Sequence, residues 1–224
     1  MSLDQPRPIL YLITSGATTS DTSPDSEEFS RLLFLIKTAV AAGVDLVQIR
    51  EKKMNARTLC ELTARASGLT RGSNTKLLVN DRADIARGSG ADGVHLTSQS
   101  LPVDVVRKTF GREFLIGVST HSIAQVVDAS EPGADFVVFG PVFETESKKA
   151  FGEPQGIEKL KQVVALAPLP VIAIGGITLE NAGECLSAGA AGVAAIRLFQ
   201  DPDKLLEVVQ AIRTTAPNDQ ESQP

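Results

Sequence analysis

Apolar residues along this chain follow two alternating rhythms. Short runs rich in β-branched side chains recur at 9–13, 46–49, 76–79, 93–96, 115–118, 136–139, 170–174 and 192–196. Between them, at 29–42, 56–69, 83–87, 103–110, 123–129, 157–166, 179–188 and 204–214, apolar positions fall three and four apart, as on one face of a helix. The first pattern predicts strands and the second predicts helices. Strict alternation over this length calls for parallel strands joined by crossover helices, in either a closed eight-stranded barrel or a doubly wound open sheet.

An internal echo chooses between the two. Gly43, Gly90, Gly133 and Gly189 each stand just ahead of a predicted even-numbered strand, within Ala42-Gly43-Val44-Asp45, Gly90-Ala91-Asp92-Gly93, Gly133-Ala134-Asp135-Phe136 and Gly189-Ala190-Ala191-Gly192. A glycine there suits the left-handed residue that ends a helix. The chain therefore reads as four copies of a two-strand, two-helix unit. A closed ring accommodates that symmetry, whereas an open sheet must reverse its winding at a switch point. The expected fold class is α/β, a single (β/α)8 TIM barrel over residues 9–214, with an N-terminal extension at 1–8 and a disordered polar tail at 215–224. The polar stretch 15–28 is expected to be a long mobile loop.

Composition narrows the class without changing it. The chain has 224 residues, 42% hydrophobic and 22% charged, with 18 Gly and 2 Cys, which excludes collagen-like, disulfide-stapled and wholly disordered proteins. Lys and Arg number 22 against 27 Asp and Glu, a net charge of -5 that gives no general attraction for nucleic acid or an anionic membrane. The longest apolar stretch is interrupted by Lys37 and Thr38 and falls short of the roughly 20 residues that a bilayer span needs. Residues 1–7 lack the pattern of a secretion signal, so a cytoplasmic location is expected. Cys60 and Cys185 sit in helical patterns and are expected to be buried, unpaired small hydrophobes. With two separated cysteines and two histidines, a zinc site is not expected.

In a barrel, chemistry collects at the C-terminal ends of the strands. Strand two ends Gln48-Ile49-Arg50-Glu51-Lys52, with Gln48 and Arg50 on one side. Arg50 there either pairs with Glu51, Asp45 or Asp81, or meets an anionic ligand. Strand three ends Asn80-Asp81-Arg82; Asp81 is either the cap of the next helix or one carboxylate of a Mg²⁺ site. Strand five ends Ser119-Thr120-His121-Ser122, where Ser122 also fits as a helix cap. His95, ending strand four, reads as a hydrogen-bonded structural residue. The segment 140–154 carries hydroxyls and two lysines, as a lid gripping an anion would. Gly175 and Gly176 after strand seven let backbone amides approach a phosphate, and Ile196 and Arg197 close strand eight.

The series Val47-Gln48-Ile49-Arg50-Glu51-Lys52, Asn80-Asp81-Arg82, Asp92-Gly93-Val94-His95-Leu96, Gly117-Val118-Ser119-Thr120-His121, Gly140-Pro141-Val142-Phe143 through Thr145-Glu146-Ser147-Lys148-Lys149, and Ala173-Ile174-Gly175-Gly176-Ile177 resembles thiamine phosphate synthase. The resemblance covers about residues 9–212 and extends to the TenI-like thiazole tautomerases. It implies coupling of hydroxymethylpyrimidine diphosphate to a thiazole phosphate with release of diphosphate. Gln48, Arg50, Lys52, Asn80, Ser119 and Lys148 would surround the pyrimidine diphosphate, with Asp81 on Mg²⁺. Thr145, Ser147 and Gly176 would serve the thiazole phosphate, joined by Gly175, Ile196 and Arg197. Partners would be small phosphorylated molecules; association into a homodimer is left open.

Three positions depart from the family pattern. Ser100 stands where a second Mg²⁺ carboxylate is usual, Arg197 where a phosphate-holding Ser is common, and Ser147 where a second Thr is. The first departure counts against metal binding. A tautomerase, with His121 carrying the proton, is the alternative activity. A barrel that only binds a thiamine precursor is the non-catalytic alternative.

Overall fold

The computed structural model describes residues 7–131, 133–145 and 153–215. Eight strands, β1 (Ile9–Ile13), β2 (Leu46–Ile49), β3 (Lys76–Asn80), β4 (Gly93–Leu96), β5 (Leu115–Thr120), β6 (Phe136–Phe139), β7 (Val171–Ile174) and β8 (Gly192–Ala195), alternate with helices. The helices are α1 (Glu27–Ala42), α2 (Ala56–Thr70), α3 (Ala83–Gly88), α4 (Val103–Phe110), α5 (Ile123–Ser130), α6 (Gly156–Leu166), α7 (Leu179–Ser187) and α8 (Leu205–Thr215). Each strand pairs in parallel with the next, and β8 pairs with β1, so the sheet closes in chain order. The expected (β/α)8 barrel is the fold. The expected extension and tail fall largely on residues 1–6 and 216–224, outside the described residues.

Three strands end elsewhere than the sequence predicts. β3 runs on to Asn80, which pairs with His95 of β4. β5 continues through Ser119 and Thr120, because these hydroxyl residues stay in register with Val138 and Phe139 of β6. β8 stops at Ala195, since Ile196 turns into helical backbone and opens a 3-10 turn at Arg197–Phe199.

Strand alternation sorts side chains between two cores. Ile9, Tyr11 and Ile13 of β1 share the barrel interior with Leu46, Leu78, Phe136, Val138, Ile172 and Ala194. Leu10, Leu12, Val47, Leu77, Ile116, Val137 and Val193 face outward beneath the helices. The Phe136 ring fits inside because position 117 has no side chain: a Cβ on Gly117 would sit 2.3 Å from the ring. Phe136 then meets Tyr11 edge to face, with centroids 5.9 Å apart.

The fourfold echo is real and goes beyond glycine. Gly43, Gly90, Gly133 and Gly189 all have positive φ, at 79°, 75°, 99° and 89°. In three of the four repeats an Asp follows two residues later and caps the preceding strand. Asp45, Asp92 and Asp135 accept from the backbone N–H of Leu10, Leu77 and Ile116 at 2.9, 2.9 and 2.7 Å. Each also holds a cation: Arg7 and Arg213 on Asp45, Lys76 on Asp92, Arg107 on Asp135. Ala191 occupies the fourth position.

One expectation gains an anchor and one is corrected. The stretch after β1 is the expected loop, and near its start the buried Glu51 carboxylate accepts from Gly16 N, Thr18 N and Thr18 Oγ1. Cys185 is buried and free as expected, with burial pushing its thiol up to about 12. Cys60 is free but exposed, on the outer side of α2 with its Sγ 3.2 Å from Ser89 Oγ. Among the described residues no helix is long and apolar enough to cross a membrane.

Candidate active site

Residues at the C-terminal ends of β1 to β5 meet in one hydrogen-bonded row. Inward positions alternate along each strand, so Tyr11, Gln48, Asn80, His95 and Ser119 all project into the barrel just below its mouth. Gln48 Nε2 donates to Asn80 Oδ1 at 2.9 Å, and Tyr11 Oη donates to Gln48 Oε1 at 3.0 Å. His95 Nδ1 lies 3.3 Å from the same Tyr11 oxygen, while His95 Nε2 lies 2.8 Å from Ser119 Oγ. Tyr11, Gln48 and His95 are buried; Asn80 and Ser119, at the two ends, are half-buried. The structure thus brings together Gln48, Asn80 and Ser119.

Electrostatics sets the protonation of this row. Burial, reinforced by the nearby Arg50 charge, lowers the His95 pKa to about 4, so its ring is neutral at ordinary pH. Burial raises the Tyr11 phenol well above its usual value, which keeps its proton in place. Tyr11 and His95 therefore belong to the site, although the sequence reading passed over Tyr11 and gave His95 only a structural role. The two-residue period of β1 was the available signal, since it aims Tyr11 inward between Ile9 and Ile13.

Arg50 follows directly after β2. Its backbone N–H donates to Thr14 Oγ1 at 2.8 Å, and its guanidinium lies beside Gly16, where a Cβ would stand 3.4 Å from Nη1. Glu51 and Asp45, two of its expected partners, are engaged elsewhere by the loop after β1 and by Arg7 and Arg213. Among the described residues no carboxylate pairs with Arg50. Lys52 is exposed on the following turn.

Asp81 does not cap α3. It adopts a left-handed conformation with φ 64°, Arg82 occupies the N-cap position, and no side-chain cap bond forms there. Its backbone N–H donates to the His95 carbonyl at 2.9 Å, and its carboxylate is exposed at the rim. A non-glycine residue held at positive φ is uncommon, and Asp is among the few that tolerate it. Ser100 is folded into its own turn: its Oγ accepts from Thr97 N at 2.7 Å. Among the described residues no group of three or more His, Cys, Asp or Glu is arranged to hold a metal. A resident metal cage does not fit, whereas one carboxylate beside a ligand's phosphate oxygens does fit Mg²⁺.

The other side of the mouth is built from β6, β7 and β8. Val142 N and Phe143 N donate to Ile174 O and Gly175 O, which sews the segment after β6 onto the end of β7. Gly176, at φ 65°, lies so close that a Cβ would be 2.5 Å from Glu144 O. Glu144, the residue before Thr145, is thereby set against the Gly175-Gly176 pair. Ile196 is half-buried and Arg197 exposed where the chain leaves β8. His121 sits at the rim after β5, its Nδ1 donating to Gly140 O. Ser122 caps α5 by accepting from Gln125 N. Ser147 and Lys148 lie outside the described residues.

Comparison with known proteins decides between the families that could share this barrel. The family model described as thiamine monophosphate synthase matches residues 10–199. The chain belongs to the thiamine monophosphate synthase family. A protein of Geobacter sulfurreducens named putative thiamine-phosphate synthase is 48% identical over 173 residues, 77% of this chain and 81% of that protein. The thiamine-phosphate synthase of Chlorobium luteolum is 38% identical over 211 residues, 93% of this chain and 94% of its own length. Among solved structures, the thiamine phosphate pyrophosphorylase of Pyrococcus furiosus superposes with a TM-score of 0.72 at 28% identity, covering 91% of this chain and 96% of that one. A 3-hexulose-6-phosphate synthase, at 15% identity and a TM-score of 0.65, shares the fold alone.

Proposed function

We propose that this chain is a thiamine-phosphate synthase, joining hydroxymethylpyrimidine diphosphate to a thiazole phosphate and releasing diphosphate. As a member of its family it is a transferase of thiamine biosynthesis. The observation that carries the reading is Arg50, without a carboxylate partner among the described residues, beside the Gln48, Asn80 and Ser119 row. A guanidinium left half-buried and uncompensated is costly unless an anion completes it.

In the reaction the bond between the pyrimidine methylene carbon and the diphosphate oxygen breaks, and its electron pair leaves with diphosphate. The thiazole nitrogen lone pair forms the new bond. Negative charge grows on the departing oxygens, so the task of the site is to meet that charge with cations. Arg50 and Lys52 supply them, together with Lys148. Gln48, Asn80 and Ser119 orient the pyrimidine half. Thr145, Gly175, Gly176, Ile196 and Arg197 hold the thiazole phosphate on the opposite side, and Ser147 would add its hydroxyl to that phosphate. Mg²⁺ bound with the diphosphate would be held by Asp81 and would help to neutralise the leaving group. No strong acid or base is required, which suits a row whose histidine stays neutral.

The test is turnover of purified protein with both phosphorylated precursors, with and without Mg²⁺, following thiamine phosphate and diphosphate. Stoichiometric formation of both products is expected; their absence under both conditions overturns the reading. One observation favours a second activity, thiazole tautomerisation. With Nδ1 donating to Gly140 O, His121 offers Nε2 for proton transfer at the rim. His121→Ala would abolish isomerisation and spare ligand binding if His121 carries that proton, and an unchanged rate removes it from the role.

A further inference from the structure

The row of five side chains has a direction, and that direction dictates what each end presents to a ligand. Gln48 Nε2 faces Asn80 Oδ1, so Oε1 of the same amide is turned to Tyr11. An amide oxygen only accepts, and Tyr11 therefore spends its single proton on Gln48. What remains toward His95 is a phenolic lone pair, so Nδ1 of the ring carries the hydrogen across the 3.3 Å gap. A neutral imidazole has one N–H; Nε2 is then an acceptor, and Ser119 gives it the hydroxyl proton at 2.8 Å.

We propose that Tyr11 and His95 are positioning residues that fix the hydrogen-bond polarity of the pocket floor, so that Ser119 meets the substrate as an acceptor and Asn80 meets it as a donor. Reversing either end requires all four bonds to reverse together, because the Tyr11 hydroxyl and the neutral His95 ring each have one proton to place, and the Gln48 amide turns its oxygen to one neighbour and its N–H groups to the other. The ligand group resting on Ser119 must therefore bring a hydrogen, as an amine or hydroxyl does and an ionised phosphate oxygen does not. The group over Asn80 must accept, as a phosphate oxygen or a ring nitrogen does. Applied to the synthase reading, on which this step rests, an amino group on the pyrimidine belongs over Ser119, and the diphosphate does not.

The tautomer of His95 reports the direction without reference to turnover. The chain has two histidines, so long-range proton–nitrogen correlation on protein with ¹⁵N-labelled histidine, assigned with His121→Gln, resolves His95 directly. In the free wild-type protein at pH 8, the hydrogen is expected on Nδ1. A ring carrying it on Nε2 overturns the proposal. In Tyr11→Phe the phenolic acceptor is gone, and the hydrogen is expected to move to Nε2; a tautomer that stays on Nδ1 shows that Tyr11 does not set it and also overturns the proposal. The same variant should raise KM for the pyrimidine diphosphate about tenfold, the value of roughly one hydrogen bond, with a smaller fall in kcat. Wild-type protein with the Nδ1 tautomer but no turnover would reject the synthase reading and leave the polarity standing.

Discussion

Neutral His95 carries a pH signature that follows from its burial. Its pKa is about 4 in the folded chain against 6.5 for a free imidazole, so above pH 6.5 both states are neutral and the residue has no effect. Below that the unfolded chain takes up a proton that the folded one refuses, and stability falls as pH drops from 6.5 toward 4. Between pH 7 and pH 5 this residue alone should remove about 2 kcal/mol. Urea unfolding at the two pH values should show a smaller loss in His95→Asn; equal losses would mean that His95 titrates normally. Arg50 makes the opposite kind of prediction, since little of the fold depends on its charge. Arg50→Met should retain its Tm and lose about 10- to 100-fold in kcat/KM, the value of a charged hydrogen bond to phosphate. At this scale the sequence disclosed Gln48, Arg50, Asn80 and Ser119, because polar residues at strand ends stand out. It hid the rejection of Asp81 as a cap, since a left-handed backbone leaves no mark in the hydrophobic pattern.

Elements were legible wherever periodicity is long, and least so where a single tertiary contact decides. The polar, Ser- and Thr-rich stretch after β1 reads as a loop and is one, but its composition does not show that the Glu51 carboxylate fastens its start through Gly16 and Thr18. Glu51→Ala should strip those bonds, costing about 1 to 3 kcal/mol. Hydrogen exchange at the Gly16 and Thr18 amides should quicken; unchanged protection there would show that the loop is held by something else. β5 gives a second case. Gly117 is a weak strand residue by propensity, and its reason is the Phe136 ring lying against it. Gly117→Ala should overpack the interior by about 1 to 3 kcal/mol. Thermal unfolding measures the loss, and a stable variant would mean that the ring has room to move.

Across the whole barrel, the glycine repeat in the sequence announced a fourfold ring but not the means of holding its N-terminal face together. Asp45, Asp92 and Asp135 serve the same backbone positions, and which of them matters most depends on burial that sequence does not show. Asp45 is only 4% exposed and takes two arginines, whereas Asp92 is 30% exposed with one lysine. Asp45→Ala should therefore cost about 3 to 5 kcal/mol, and Asp92→Ala much less; comparable losses in urea unfolding would contradict that ranking. The double pairing at Asp45 also bears on how the chain is strung. Arg7 precedes the first strand and Arg213 lies in the last helix, 206 positions later, yet both reach one carboxylate at 2.8 and 3.0 Å. A ring has no natural starting point once its two ends lie side by side. A circular permutant that links residue 215 to residue 7 through a short flexible spacer, and opens instead at the exposed turn 111–113, should assemble the same barrel.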